Sequence, residues 1–194
     1  MIAGLLLAAG RSRRFGSDKL CAKLDGKAVV RWSAAALTAL DAVYVVIPPG
    51  ADAVTQALSR LDVRFVVNLA RDEGMASSIR AGVAALPADT EAVVIALADQ
   101  PRASADTTGH LVQRWNDGDA DAVAPVFSDG RGHPVLFGRA CFETLLQLRG
   151  DTGARAVLDA LGPRLALVAV DGPMPVDVDT PDALLGLQRT RRDS

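Results

Sequence analysis

The sequence predicts an α/β protein, Rossmann-like and three-layered, with a mainly parallel central sheet and a small antiparallel patch. Three observations predict it. Apolar runs of strand length alternate with longer stretches of helical period, the pattern of βαβ units. The early runs, Leu5-Leu6-Leu7 and Val93-Val94-Ile95 among them, are apolar at every position, as strands covered on both faces must be. The segment from about 119 to 137 is richer in turn and β-forming residues, and the antiparallel patch is expected there.

Strands are expected at 2–8, 42–47, 63–67, 92–98, 120–126, 133–137 and 165–170. Helices are expected at 29–40, 51–61, 75–86, 105–115, 140–148, 154–161 and 181–190. Thr180-Pro181-Asp182 opens the last helix well: an N-cap hydroxyl, a proline at the first helical position, and a carboxylate at the positive end of the dipole. Asp151-Thr152-Gly153 precedes another helix in a similar way, and Pro48-Pro49-Gly50 breaks the chain after a strand. One domain is expected over residues 1–188, with 189–194 as a frayed tail.

With 194 residues, the chain can bury a substantial core. Its net charge of −2 argues against a general nucleic-acid binder, so any basic cluster is a local feature. Cys21 and Cys141 give neither a disulfide framework nor a metal spacing. They read as small hydrophobes in a reducing compartment. The segment 2–9 is too short to cross a bilayer and has no basic residue before it. A cytoplasmic location and no membrane contact are therefore expected.

The first nineteen residues are the most informative. An apolar strand runs into Ala9-Gly10-Arg11-Ser12-Arg13-Arg14-Phe15-Gly16-Ser17-Asp18-Lys19. Small residues let backbone N–H groups approach an anion, and the basic residues supply charge against a polyphosphate. The loop is neither of the two commonest phosphate loops, because Gly16 is followed by Ser17 and Ser12 stands two after Gly10. Lys19 and Arg14 are expected on the β- and γ-phosphates, where they would stabilise departing pyrophosphate. For Arg11 and Arg13 a solvated surface charge is an equal alternative.

In an open α/β sheet, ligands sit beyond the carboxyl ends of the strands. The loops after residues 8, 67, 97 and 176 should therefore converge. Asp99 stands at the tip of the 92–98 strand and suits Mg²⁺, which takes few carboxylates beside phosphate oxygens and water. Asp177 and Asp179 lie two apart on an extended segment, so they should share a face, and either could complete the metal shell. Ser77 and Ser78 near a helix start, with Asn68 upstream, read as contacts to the nucleotide base and ribose. An ordinary N-cap cluster is the plainer alternative for them. Gln100, beside the metal, could touch the ribose or the acceptor. His133, in a Gly-rich turn, is either structural or a contact to the acceptor.

The order Leu7-Ala8-Ala9-Gly10-x-Ser12-x-Arg14-x-Gly16-x-x-Lys19 resembles the signature of nucleotidyltransferases that activate a phosphorylated acceptor with an NTP. Four later segments, the stretch 73–82, Leu97-Ala98-Asp99-Gln100-Pro101, Gly132-His133-Pro134-Val135 and Asp177-Val178-Asp179-Thr180-Pro181, are similar to the molybdenum cofactor cytidylyltransferase branch. The resemblance covers nearly the whole chain and implies the nucleotidyltransferase fold. Leu7, Ala8, Ala9, Gly10, Arg11 and Ser12 would cradle the nucleotide. Asp99 would take the place of the family's metal-binding aspartate, and Asp179 that of its second ligand, with Mg²⁺ or Mn²⁺ as the metal. The resemblance implies CTP and the molybdenum-bearing molybdopterin cofactor as substrates. It also implies transient contact with a xanthine dehydrogenase-type apoenzyme or its chaperone. The Ala8-Ala9-Gly10 turn leans away from the guanylyltransferase branch, which tends to have Ala-Gly-Gly there. A GTP or sugar-phosphate transferase, or a cofactor-carrying chaperone without turnover, stays open as an alternative.

Overall fold

The computed structural model describes residues 1–10, 15, 18–151 and 153–190. Expectations for Arg11, Ser12, Arg13, Arg14, Gly16, Ser17, Thr152 and the tail 191–194 lie outside the described residues. The strands are β1 (Ile2–Leu7), β2 (Lys23–Leu24), β3 (Lys27–Ala28), β4 (Ala42–Ile47), β5 (Arg64–Val67), β6 (Ala92–Leu97), β7 (Ala122–Phe127), β8 (Gly130–Arg131), β9 (Val135–Gly138) and β10 (Leu165–Ala169). The α-helices are α1 (Val29–Ala35), α2 (Asp52–Leu58), α3 (Met75–Ala84), α4 (Ala105–Asn116), α5 (Phe142–Leu146), α6 (Arg155–Leu161) and α7 (Pro181–Thr190).

The main sheet runs β10-β7-β9-β6-β1-β4-β5, with β8 paired to β7. Its pairs are parallel except those made by β9 and β8. A separate two-stranded antiparallel ladder joins β2 and β3. Leu7 lies opposite Val46 on one side and Leu97 on the other, so β1, β4 and β6 end level. That shared edge is where the loops must meet.

Alternate side chains of the same strand enter different cores. Leu5, Val93 and Ile95 pack with Ile79, Val83, Leu145 and Leu158 on one face. Leu6, Val94 and Ala96 pack with Leu37, Leu58 and Leu111 on the other. This period-2 partition gives the three layers and explains why the strands are apolar throughout. Each fully buried Leu contributes about 1.5–3 kcal/mol by removal from water. Helix α3 lies so close on β1 that a Cβ on Gly82 would come within 2.4 Å of Leu5 Cδ1.

Three local outcomes differ from expectation or add to it. The antiparallel strand β9, in the segment where the patch is expected, is part of the main sheet: it is inserted between β6 and β7, where both its edges are paired. Helix α6 begins at Arg155 after an Ala154 N-cap without a side-chain cap bond. Helix α1 stops at Ala35, and beyond it the Thr38 hydroxyl donates to the Ala35 carbonyl, a side-chain bond that competes with helix propagation. The expected cap of α7 is present: Ala183 N–H donates to Thr180 Oγ1 at 3.2 Å.

Both cysteines are free thiols, and burial first of all raises each pKa to about 11, so they behave as the expected hydrophobes. Among the described residues no helix is long and apolar enough to cross a membrane.

Candidate active site

Asp99 sits two residues beyond the end of β6. Its backbone is held from two sides. Ser33, fully buried on α1, donates its hydroxyl to the Ala98 carbonyl at 2.8 Å, and Val178 N–H donates to the Asp99 carbonyl at 2.8 Å. The second bond draws the 177–179 segment, distant in sequence, onto the strand tip. Lys19 arrives from a short 3-10 turn, Lys19–Cys21, capped by Asp18, whose Oδ1 accepts from Leu20 N–H.

The Lys19 ammonium lies between two carboxylates, 2.6 Å from Asp99 Oδ2 and 2.8 Å from Asp179 Oδ1. Lys19 is only 6% exposed. Burial alone would push its pKa down, but the hydrogen bonds to Asp179 and Asp99 outweigh this and hold it above its ordinary value.

Asp177 is held by Gln100: its Oδ1 accepts from Gln100 Nε2 at 2.9 Å. The expectation that Asp177 and Asp179 share a face came from an extended backbone. The Asp179 N–H instead donates to the Asp177 carbonyl at 3.0 Å, which closes a tight turn, so the two-residue period does not apply. Burial raises the Asp177 pKa; the Gln100 bond opposes this, and Asp99 and Asp179 add to it.

A cleft of about 550 Å³ opens at this edge, lined by Leu7, Ala9, Gly10, Leu97, Asp99 and the 71–75 loop, with Asp151 on its far wall. The loops after β1, β5 and β6 therefore converge. The wall is tightly built. Gly74 has φ +93°, and a Cβ there would meet Asp151 Oδ1 at 2.4 Å and the Gly150 backbone at 2.6 Å. The Ala76 N–H at the start of α3 donates to the Gly150 carbonyl.

Asn68, Ser77 and Ser78 come together, but toward one another. Asn68 Nδ2 donates to Ser77 Oγ at 2.8 Å and to Ser78 Oγ at 3.0 Å. Asn68 Oδ1 accepts from Ala70 N–H, and Ser77 Oγ donates to the Gly74 carbonyl. All three residues are buried. Their polar atoms are thus engaged in fixing the 68–74 loop to α3. Asn68→Ala leaves buried hydroxyls short of a partner, which costs about 1–3 kcal/mol. We expect a thermal melt to show that loss, with KM for nucleotide rising more than kcat falls.

His133 reaches the same edge because β9 runs antiparallel and so begins where its neighbours end. It precedes a cis peptide bond to Pro134. Burial lowers its pKa, partly offset by a hydrogen bond to the Ile95 backbone and by Asp177 and Asp99. Its Nδ1 is buried without a partner. It lines a second cleft of about 270 Å³, with Phe127, Met174 and Arg102, on the same edge of the sheet.

Over residues 4–168 the sequence matches the MobA-like NTP transferase domain. The chain belongs to the MobA-like NTP transferase family. Purine catabolism protein PucB of Bacillus subtilis (strain 168) is 32% identical over 93% of each chain. Nicotine blue oxidoreductase of Paenarthrobacter nicotinovorans is 31% identical over 81% of each. A molybdenum cofactor guanylyltransferase of Rhizobium leguminosarum bv. trifolii is 32% identical over 70% of this chain and 61% of its own. The molybdenum cofactor cytidylyltransferase of Escherichia coli (strain K12) is 27% identical over 57% and 54%. Among solved structures, Rv0371c of Mycobacterium tuberculosis H37Rv superposes with a TM-score of 0.86 at 28% identity, covering 97% of both chains. Its complex with manganese gives 0.82 at 26% identity, over 97% of this chain and 98% of that one.

In this MobA-like transferase, Arg71 and Asp151 are cleft residues that sequence reasoning missed. Arg71 stood in the 68–78 segment as the one cation beside Asp72 and Glu73, and that isolation was the available signal. Asp151 carried no signal, because the Gly74 contact that brings it to the wall spans 77 residues of sequence.

Proposed function

We propose that the chain transfers CMP from CTP to the phosphate of the molybdenum-bearing molybdopterin cofactor, releasing pyrophosphate and forming the cytosine dinucleotide. The observation that carries the reading is the Asp99–Lys19–Asp179 bridge at the mouth of a cleft lined by the Ala9-Gly10 turn. An ammonium is already seated between two carboxylates, so this pair accepts a cation. The donor set, two hard oxygens without Cys or His, suits Mg²⁺ or Mn²⁺. Among the described residues no group of three or more potential ligands could hold a metal ion, so phosphate oxygens and water must complete the shell. Asp99 and Asp179 are then the ligands, and Asp177 positions Gln100.

An oxygen of the acceptor phosphate attacks the α-phosphorus of the NTP. The bond from that phosphorus to the oxygen bridging to the β-phosphate breaks, and the electron pair leaves with pyrophosphate. The acceptor is already ionised near neutral pH, so the chain's task is positioning and charge stabilisation. The backbone of Leu7, Ala8, Ala9 and Gly10 borders the triphosphate. Lys19, with Arg14 from beyond the described residues, holds the departing charge, and Arg11 and Ser12 complete the loop. A bound metal would add charge neutralisation across the phosphates. Asn68, Ser77 and Ser78 act by fixing the 68–74 loop, while Arg71, Asp72 and Met75 face the nucleotide. Gln100 and His133 border the acceptor, which suits the second cleft. The product would pass to a xanthine dehydrogenase-type apoenzyme or its chaperone.

A guanylyltransferase is the second reading, favoured by the longer match to that relative than to the cytidylyltransferase. Cytosine and guanine present different donor and acceptor edges, and each buried group left unpaired costs about 1–3 kcal/mol. With purified molybdenum cofactor as acceptor and Mg²⁺ present, we expect kcat/KM for CTP to exceed that for GTP by at least about tenfold. Preference for GTP moves the chain to the second reading; consumption of a sugar phosphate instead of the cofactor rejects both acceptor assignments.

A further inference from the structure

We infer that Lys19 is the resident counter-cation of the metal pair: in the unliganded protein it occupies the seat a divalent ion would take. Lysine and metal therefore exclude each other at Asp99 and Asp179. The inference rests on the metal-dependent transferase reading and adds a binding order to it.

The geometry is specific. One ammonium touches both carboxylates, at 2.6 and 2.8 Å, inside a largely enclosed position where the Lys19 side chain is 8% exposed. A hard divalent ion bonds carboxylate oxygen at roughly 2.0–2.6 Å, depending on the ion. It cannot approach both oxygens while an ammonium lies between them, because two cations would compete for the same two oxygens at contact distance. Asp177 offers no alternative seat for the ammonium, since Gln100 holds it.

Lysine is suited to such an exchange. Its charge is compact and rides on a flexible four-carbon stem, so Nζ can swing while the capped turn Lys19–Cys21 stays in place. The cleft beside it is where a triphosphate would lie. Phosphate oxygens give the displaced ammonium a new anionic partner, so metal and nucleotide enter together and each favours the other. Without nucleotide, the ammonium keeps its two carboxylates and metal binds weakly.

Lys19→Met keeps the stem length and removes the charge. Mn²⁺ alone, titrated into nucleotide-free protein and followed by electron paramagnetic resonance, should bind K19M at least about tenfold more tightly than wild type, equivalent to about 1.4 kcal/mol. Asp99→Asn should abolish the gain in the K19M background. A folded K19M that binds Mn²⁺ no more tightly than wild type overturns the inference. Should K19M fail to fold, wild type decides the matter. Saturating Mn²⁺ should raise acetylation of Lys19, read by mass spectrometry, at least about threefold over exposed Lys23 and Lys27, because the displaced side chain leaves its enclosed seat between the carboxylates and becomes accessible to the reagent. Unchanged Lys19 labelling with Mn²⁺ bound overturns the inference too. Product formation by wild type tests the transferase reading separately, so the two failures are distinguishable.

Discussion

Asp99→Asn is expected to lower kcat by at least about a hundredfold, the scale of losing one major electrostatic contributor, with the fold retained. Asparagine keeps the shape but removes the charge that seats a cation. The backbone bonds that fix this position, from Val178 N–H to the residue 99 carbonyl and from Ser33 to the Ala98 carbonyl, do not use the side chain. The strand tip should therefore stay in place, and circular dichroism and melting should show a folded protein. Lys19 keeps Asp179 as partner in the variant. A near-normal rate at saturating Mg²⁺ would remove Asp99 from the catalytic centre.

Gly74→Ala is expected to cost about 2–5 kcal/mol. The sum has two sources: a side chain forced to φ +93°, about 1–3 kcal/mol, and overpacking of similar size. The added methyl meets the Gly150 backbone at 2.6 Å, which cannot rotate aside as a flexible side chain could. For a chain of this size the melting temperature should fall by at least about 5 °C. The functional effect should be local: pushing residues 150–151 away opens the cleft wall, so KM for nucleotide rises. A variant that melts within about a degree of wild type would mean that the 150–151 loop yields without cost.

Much of the fold was legible because burial leaves a periodic trace. Leu5 and Leu6 face opposite cores, and an uninterrupted apolar run is the one-dimensional record of that arrangement. Asp99 was legible for the same reason: a lone carboxylate after seven apolar positions marks a strand end at the ligand edge. The placement of β9 was not. Nothing in residues 135–138 says that they pair on both sides, because strand neighbours are chosen by competition among edges rather than by the strand's own composition.

Side-chain direction within the site was the least legible part. Asn68, Ser77 and Ser78 were recognisable as polar residues near a helix start, yet three polar groups near one another satisfy each other before any ligand arrives. Asp177 and Asp179 were separated by one backbone hydrogen bond that no pattern encodes.

The sequence by itself determined the alternation of strands and helices, the basic loop after the first strand, and the acidic positions that terminate strands and precede the last helix. These are local consequences of burial period, capping and backbone sterics, so they can be read where they occur. Only the tertiary structure decided that Lys19 meets both Asp99 and Asp179, 80 and 160 residues away. It also decided that Asp177 turns to Gln100 and that residues 150–151 close on Gly74. The physical reason is range: such contacts depend on how separate elements settle against one sheet edge, and short-range electrostatics then selects the partner each charge keeps.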